Sequence, residues 1–207
     1  MNILDINNIT DPYCYPKSSI LKNNFGITDM DELEAYERAL VSKKLLSLYI
    51  EPISGNFDSA HYLKIHEFLF SDIYPFAGKI RCVDIKKGNT YFARSRFVSI
   101  ALNETLNEMK MKLDNVSDIT SLSEYLSYYY ISLNLLHPFR EGNGRCEREF
   151  LREYTLYLKD KLPFEINELD YSKMDKKVIL DGTISLNQKI IQEEFLKVLT
   201  PSKVKKK

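Results

Sequence analysis

Apolar residues recur at the three- and four-residue spacing of a helix face through most of this chain, and the rhythm turns strand-like in one stretch only. Successive amphipathic helices with a single β excursion imply an all-α fold, a helical bundle carrying one β-hairpin. From Met30 to about Ile50, Leu33, Tyr36, Ala39, Leu40 and Leu46 follow helical spacing; Pro52 ends the pattern, and Thr28 or Asp29 can cap its start. Asp58 caps a second helix running through His61, Ile65, Phe68 and Leu69 to about Ser71. Helical periodicity returns over 97–114, 121–136, 143–160 and 184–198. Between them, Ile80, Cys82, Val83 and Ile85 precede Lys87-Gly88-Asn89, and Tyr91-Phe92-Ala93 follows, which predicts a hairpin within 80–93. Residues 1–28, rich in Asn, Pro and Ser, read as an irregular lead-in. The core domain is expected at 29–160, with a helical extension and the basic tail Lys203–Lys207 over 161–207.

The 207 residues suit one domain with a sizeable core. Lys plus Arg equals Asp plus Glu at 29 each, so no overall field draws the protein to nucleic acid or an anionic membrane, and any anion site must be local. Cys14, Cys82 and Cys146 are odd in number and lack metal-type spacing, which suggests free thiols in a reducing compartment. The first twenty residues have no signal-peptide apolar run, and no stretch approaches membrane-spanning length. The expected location is the cytoplasm, with no direct nucleic-acid or membrane partner.

Chemistry concentrates in His137-Pro-Phe-Arg-Glu-Gly-Asn-Gly-Arg-Cys-Glu-Arg148. Pro138 disfavours helical geometry in the residue before it, which places His137 at a helix exit. Glu141, Gly142, Asn143 and Gly144 then feed a helix starting near Arg145. A glycine loop at a helix N-terminus offers backbone N–H groups and the positive end of the helix dipole, an anion cradle. Arg145, Arg148 and Arg152 fall on one face of that helix, beside the cradle, and arginine holds phosphate oxygens with paired donors. A carboxylate at Glu141 suits Mg²⁺ shared with substrate phosphates, which points to ATP. His137 suits the base that takes a proton from an attacking hydroxyl.

Taken singly, a histidine at a helix end is usually a packing residue and Gly-Asn-Gly is usually a turn; their co-occurrence within twelve residues carries the functional reading. Phe139 reads as a loop anchor. Arg140, Cys146 and Glu147 read as variable surface and receive no role. His61 and His66 are five residues apart, off the spacing of a helical metal pair, and read as structural. Neither a P-loop nor a dinucleotide-binding glycine motif occurs.

Residues 137–148 resemble the pattern H-x-F-x-[DE]-G-N-G-R-x-x-R of Fic proteins at all eight constrained positions. Leu21–Asn24, Gly55–Asp58, Ile65-His66, Tyr74–Gly78 and Lys87–Ala93 are similar to further segments of that family, so the resemblance covers roughly residues 15–160. It implies the Fic fold and protein adenylyltransfer: AMP moves from Mg-ATP to a Tyr, Ser or Thr hydroxyl of a target protein. His137 would be the base, Glu141 the Mg²⁺ ligand, Gly142, Asn143 and Gly144 the anion hole, and Arg145 and Arg148 the β- and γ-phosphate ligands. The hairpin residues Lys87, Gly88, Asn89, Thr90, Tyr91 and Phe92 would form a flap that docks the target. Gly144 separates the chain from the phosphorylating death-on-curing branch, which replaces that glycine.

Many Fic proteins carry an inhibitory [ST]-x-x-x-E-[GN] helix whose glutamate pairs with the last motif arginine, here Arg148. Thr28/Glu32, Ser47/Glu51 and Thr120/Glu124 have its spacing, but Leu33, Pro52 and Tyr125 follow the glutamates. The resemblance therefore implies the bacterial toxin branch, in which a separate small antitoxin supplies the helix. Alternatives are protein phosphotransfer with ATP reversed, and a silent nucleotide-binding module.

Overall fold

The computed structural model describes residues 11–201 and the backbone of Leu4–Asp5. The tail Lys203–Lys207 lies outside the described residues. Asp29 accepts from the Glu32 amide at 2.9 Å and starts α1, Met30–Ile50. Asp58 does the same for α2, Ser59–Phe70, through His61. These are the N-caps expected of aspartate, whose side chain satisfies an amide that the helix cannot. The buried stripe of α1 is Leu33, Val41 and Leu48, each about two turns from the next. Tyr36 and Leu46, expected on that face, are 49% and 63% exposed. Apolar residues surround this helix, so periodicity alone could not single out the narrow seam that meets α2.

The hairpin is shorter than expected. Strand β2 is Ile85–Lys87 and strand β3 is Thr90–Tyr91, paired Lys86 to Tyr91 and Lys87 to Thr90. Gly88 and Asn89 form the two-residue turn, with Gly88 at φ 59, the left-handed value that a type II′ turn asks of its first central residue. The lead-in is not wholly irregular: strand β1, Leu4–Asp5, pairs antiparallel with β2, giving the order β1-β2-β3. Cys14 and Leu21 form an isolated bridge.

Helices α3 (Ser95–Lys112), α4 (Ile119–Leu136) and α5 (Asn143–Lys159) complete the frame. Asp118 and Ser121 start α4 with reciprocal capping bonds. Phe150, Leu151, Tyr154 and Leu158 of α5 pack in one core with Tyr62, Ile65 and Leu69 of α2 and with Leu126 and Leu133 of α4.

One helix was expected over 184–198; two occur. Helix α6 is Lys176–Ser185 and α7 is Gln188–Leu199, with Leu186 in the left-handed region between them. Asp181, Gly182 and Thr183 are weak helix formers, which hid α6; its cap, Asp175, accepts from Lys177 and Val178 amides. Helix α7 lies along α4 and α6. Phe195 of α7 is fully buried against Tyr130 of α4 and Tyr171. Phe195→Ala should cost about 3–5 kcal/mol of folding stability, read from denaturant melts.

Candidate active site

Helix α4 ends where Pro138 requires it to. His137 is its C-terminal cap, with φ 45 and ψ 63, and its amide still reaches the Leu133 carbonyl at 3.1 Å. A non-glycine residue in the left-handed region is held by its surroundings at some cost. The His137 ring lies face to face with Phe92, centroids 3.7 Å apart. Its Nδ1 is 3.0 Å from the Asn134 carbonyl oxygen, which can only accept, so Nδ1 carries the hydrogen and Nε2 keeps the lone pair. Burial pushes the imidazole down to about 3; the Asn134 carbonyl opposes the shift, and Lys87 and Arg81 add to it. The ring is neutral throughout the physiological range, with the hydrogen on Nδ1 and the lone pair on Nε2.

Arg81 holds this corner. Its side chain is buried and bonds four backbone carbonyls: His137 at 2.8 Å, Val83 at 2.6 Å, Leu136 at 3.2 Å, and Ala93. Its own amide donates to Pro138 at 2.9 Å, and the Ala93 amide donates to Leu135 at 3.0 Å. A cation at the C-terminal carbonyls of α4 meets the negative end of the helix dipole and ties the hairpin's stem to it. Burial lowers the Arg81 guanidinium to about 10, with Asp84 opposing, so it stays charged. Asp84 caps α3 from outside, accepting from the Ser95 amide at 2.6 Å and from Arg94 at 2.8 Å. Arg81 belongs to no pattern readable from sequence.

The loop from Pro138 to Gly142 is fastened by side chains. Asn143 Oδ1 accepts from the Phe139 amide at 2.7 Å and its Nδ2 donates to the Phe139 carbonyl at 2.8 Å. The Phe139 ring, fully buried, stacks on His66 at 3.6 Å, as expected of an anchor. His66 links two segments: Nδ1 accepts from the Gly78 amide and Nε2 donates to the Glu141 carbonyl, both at 2.9 Å. Burial pushes His66 down to about 3, which suits the neutral tautomer this bridge requires. Gly142 sits at φ 82, and a Cβ there would lie 2.4 Å from the Phe70 ring. Helix α5 starts at once, and no side chain caps it, whereas aspartates cap α1, α2 and α4.

His137, Glu141, Asn143, Gly144, Arg148 and Lys87 line one cavity of about 640 Å³. Tyr130 and Asn134 of α4, with Tyr171, Met174, Ile179 and Thr183, form its far wall. Arg148 shares this lining with Tyr130, and a Cβ on Gly144 would lie 3.1 Å from the Arg148 Nη1. Glu141 and Lys87 also border a second cavity of about 300 Å³, and Arg145 lines that one. The three arginines expected beside one cradle are thus separated. Arg145 pairs with Glu37 at 2.5 Å and Glu141 at 3.4 Å; Arg152 is buried, bound to Glu149 and Glu168, each at 2.6 Å. Gly142 shapes the turn, and the Asn143 side chain serves the loop, leaving its backbone amide for an anion.

Arg140, Cys146 and Glu147 are not surface residues. Arg140 is 5% exposed and pairs with Asp11 at 2.7 Å, Cys146 packs in the core, and Glu147 is 1% exposed, its carboxyl raised well above the usual range by burial. Cys146 and Glu147 belong to α5, which has core on more sides than its amphipathic pattern suggests, and Arg140 lies in the loop before it. All three cysteines are free thiols.

Residues 56–155 match the model of the Fic/DOC family. The chain is 31% identical over 180 residues to a probable protein adenylyltransferase, y4lH, of Sinorhizobium fredii, covering 86% of this chain and 88% of that protein. It belongs to the Fic/DOC family. It is also 42% identical over 142 residues to the protein adenylyltransferase VbhT of Bartonella schoenbuchensis, covering 68% of this chain but 30% of that protein. The fold matches that of the Bartonella tribocorum effector BepC, solved with bound AMPPNP, at TM-score 0.78 and 23% identity over 92% of this chain and 97% of that one. The Fic/DOC segment spans α2 through most of α5, so α1, α6 and α7, which wall both cavities or support the walls, lie outside it.

Two outcomes follow from this geometry. Gly142→Ala should destabilise by about 1–3 kcal/mol, because the added methyl group strains a positive φ and meets Phe70; thermal unfolding reads it. Both His66 and His137 have folded pKa values below the free value of 6.5, so the unfolded chain takes protons first. The stability they contribute is intact above pH 6.5 and drains away as pH falls toward 3. Ring-carbon NMR should show neither imidazole titrating above pH 5; a midpoint near 6.5 for either would contradict its burial.

Proposed function

We propose that the chain transfers AMP from ATP to a Tyr, Ser or Thr hydroxyl of a protein target and releases pyrophosphate. The observation that carries this reading is the convergence of His137 Nε2, the uncapped start of α5 and Arg148 on one cavity. The backbone amides of Asn143 and Gly144 are the natural seat for phosphate oxygens, joined by that of Gly142 when it leaves the Glu141 carboxylate, and Arg148 adds charge from within the cavity. Arg145 reaches the phosphates from the side of the second cavity. Tyr171, Met174 and Ile179 suit the flat apolar surface of a base.

Glu141 fits Mg²⁺. Its carboxylate is a third exposed and borders both cavities, and a magnesium ion takes one or two carboxylates with substrate phosphates for the remainder of its shell. When bound, the ion would neutralise charge on the phosphates. His137 holds the proton taken from the target hydroxyl at Nε2 while the Asn134 carbonyl fixes the ring. Lys87, Gly88, Asn89, Thr90, Tyr91 and Phe92 form the flap that holds the target segment, and Phe92 keeps the base in place.

The family resemblance extends the reading to a bacterial toxin acting in the cytoplasm and restrained by a small antitoxin whose helix would reach Arg148. The domain plan that goes with it is a core at 29–160, followed by a helical extension and basic tail over 161–207, of which Tyr171, Met174, Ile179 and Thr183 line the nucleotide cavity. No helix among the described residues is long and apolar enough to cross a membrane.

Incubation with lysate and ATP labelled at the α- or γ-phosphorus tests the reaction. Label should reach a protein from the α position alone; transfer from γ alone would establish phosphotransfer in its place. His137→Ala should cut labelling about 10²- to 10⁴-fold while ATP binding persists. Wild-type labelling by that variant would remove His137 from the chemistry.

A further inference from the structure

Glu37 sits in α1, outside the family-matched segment, and its side chain is 13% exposed. One carboxylate oxygen accepts from Arg145 Nη1 at 2.5 Å and the other accepts the Tyr74 hydroxyl hydrogen. The guanidinium carbon of Arg145 lies 4.7 Å from the centre of the Phe70 ring. The ring supports one face of the guanidinium and Glu37 holds one end. What remains toward Glu141 is a single contact of 3.4 Å, at the outer limit of a hydrogen bond, while the same Glu141 oxygen takes the Gly142 amide at 2.8 Å.

We infer that Glu37 is a positioning residue: it holds Arg145 away from Glu141, so that the Glu141 carboxylate stays available to a metal ion bound with ATP. Arginine and a neighbouring carboxylate close into a paired, charge-assisted bridge when nothing restrains them. A carboxylate engaged in such a bridge must be released before it can bind a metal. Glu37 answers the charge of Arg145 with a carboxylate that is not a metal ligand, and Tyr74 keeps that carboxylate in place. Arg145 is left with its remaining donors fixed in the wall of the smaller cavity, whose residues Glu141 and Lys87 also line the larger one.

This inference rests on Glu141 being the metal ligand, and the test separates the two. ATP affinity is measured by displacement of a fluorescent ATP analogue, once in EDTA and once in excess Mg²⁺, for the full chain and its variants. Mg²⁺ should tighten ATP binding by the wild type, and Glu141→Ala should abolish that gain. If Glu141→Ala keeps the whole gain, the metal assignment itself is wrong. With the assignment upheld, Glu37→Gln should shrink the Mg²⁺-dependent gain roughly fivefold at an unchanged melting temperature, and should change nothing further in an Arg145→Ala background. An undiminished gain in Glu37→Gln, an equal loss without Arg145, or tighter ATP binding in EDTA would overturn the inference; the last would make Glu37 a competitor of phosphate. Should Glu37→Gln melt early, Tyr74→Phe carries the same test, with a smaller shift in the same direction expected and no shift counting against it.

Discussion

A buried guanidinium organises this molecule's working end. Among the described residues the hydrogen bonds that hold the Arg81 side chain run to backbone carbonyls, from the last turn of α4 and from both sides of the hairpin stem, which stand in for solvent. Removing a charge from water is expensive, and only a full set of directed acceptors makes it tolerable. The carbonyls must therefore converge, and their convergence fixes the angle at which α4 stops, the conformation of His137 and the placement of Phe92 over its ring. The end of α4, His137 and the hairpin share one anchor.

The loop that leads into α5 is held differently, by small interactions that lock each other. Asn143 fastens the backbone of Phe139, the ring of Phe139 stacks on His66, and His66 ties Glu141 to Gly78. None of these groups needs to reach a ligand with its side chain. Their work is to leave the start of α5 open and Glu141 aimed outward, a geometry that a loop of this composition would not keep unaided.

How much of this was legible in the chain depends on the range of the interaction. Helix starts at Asp29 and Asp58, the turn at Gly88-Asn89 and the break before Pro138 are local events, governed by residues within four positions, and they occur where the pattern places them. The motif from His137 to Arg148 was legible as chemistry because its members are adjacent. Arg81 and Glu37 were not, since each acts on a residue more than fifty positions away and neither type nor spacing announces it. Helical periodicity put Arg145, Arg148 and Arg152 on one face, yet Glu37 of α1 holds Arg145 at the smaller cavity, Arg148 lines the larger one, and Glu168 after α5 helps to hold Arg152 in the core. Helix α6 escaped because packing against α7, rather than propensity, sustains it.

The three-strand sheet has a topological consequence. With β1 on one side and β3 on the other, β2 is the inner strand of the sheet, paired along both of its edges. An extended segment that joined the sheet beside Tyr91 would take its direction from β3 and run antiparallel or parallel to it one strand spacing, about 4.8 Å, away. The lead-in thus turns a two-stranded ribbon into a sheet with one inner strand, and leaves Thr90–Tyr91 as the margin on the hairpin's own side.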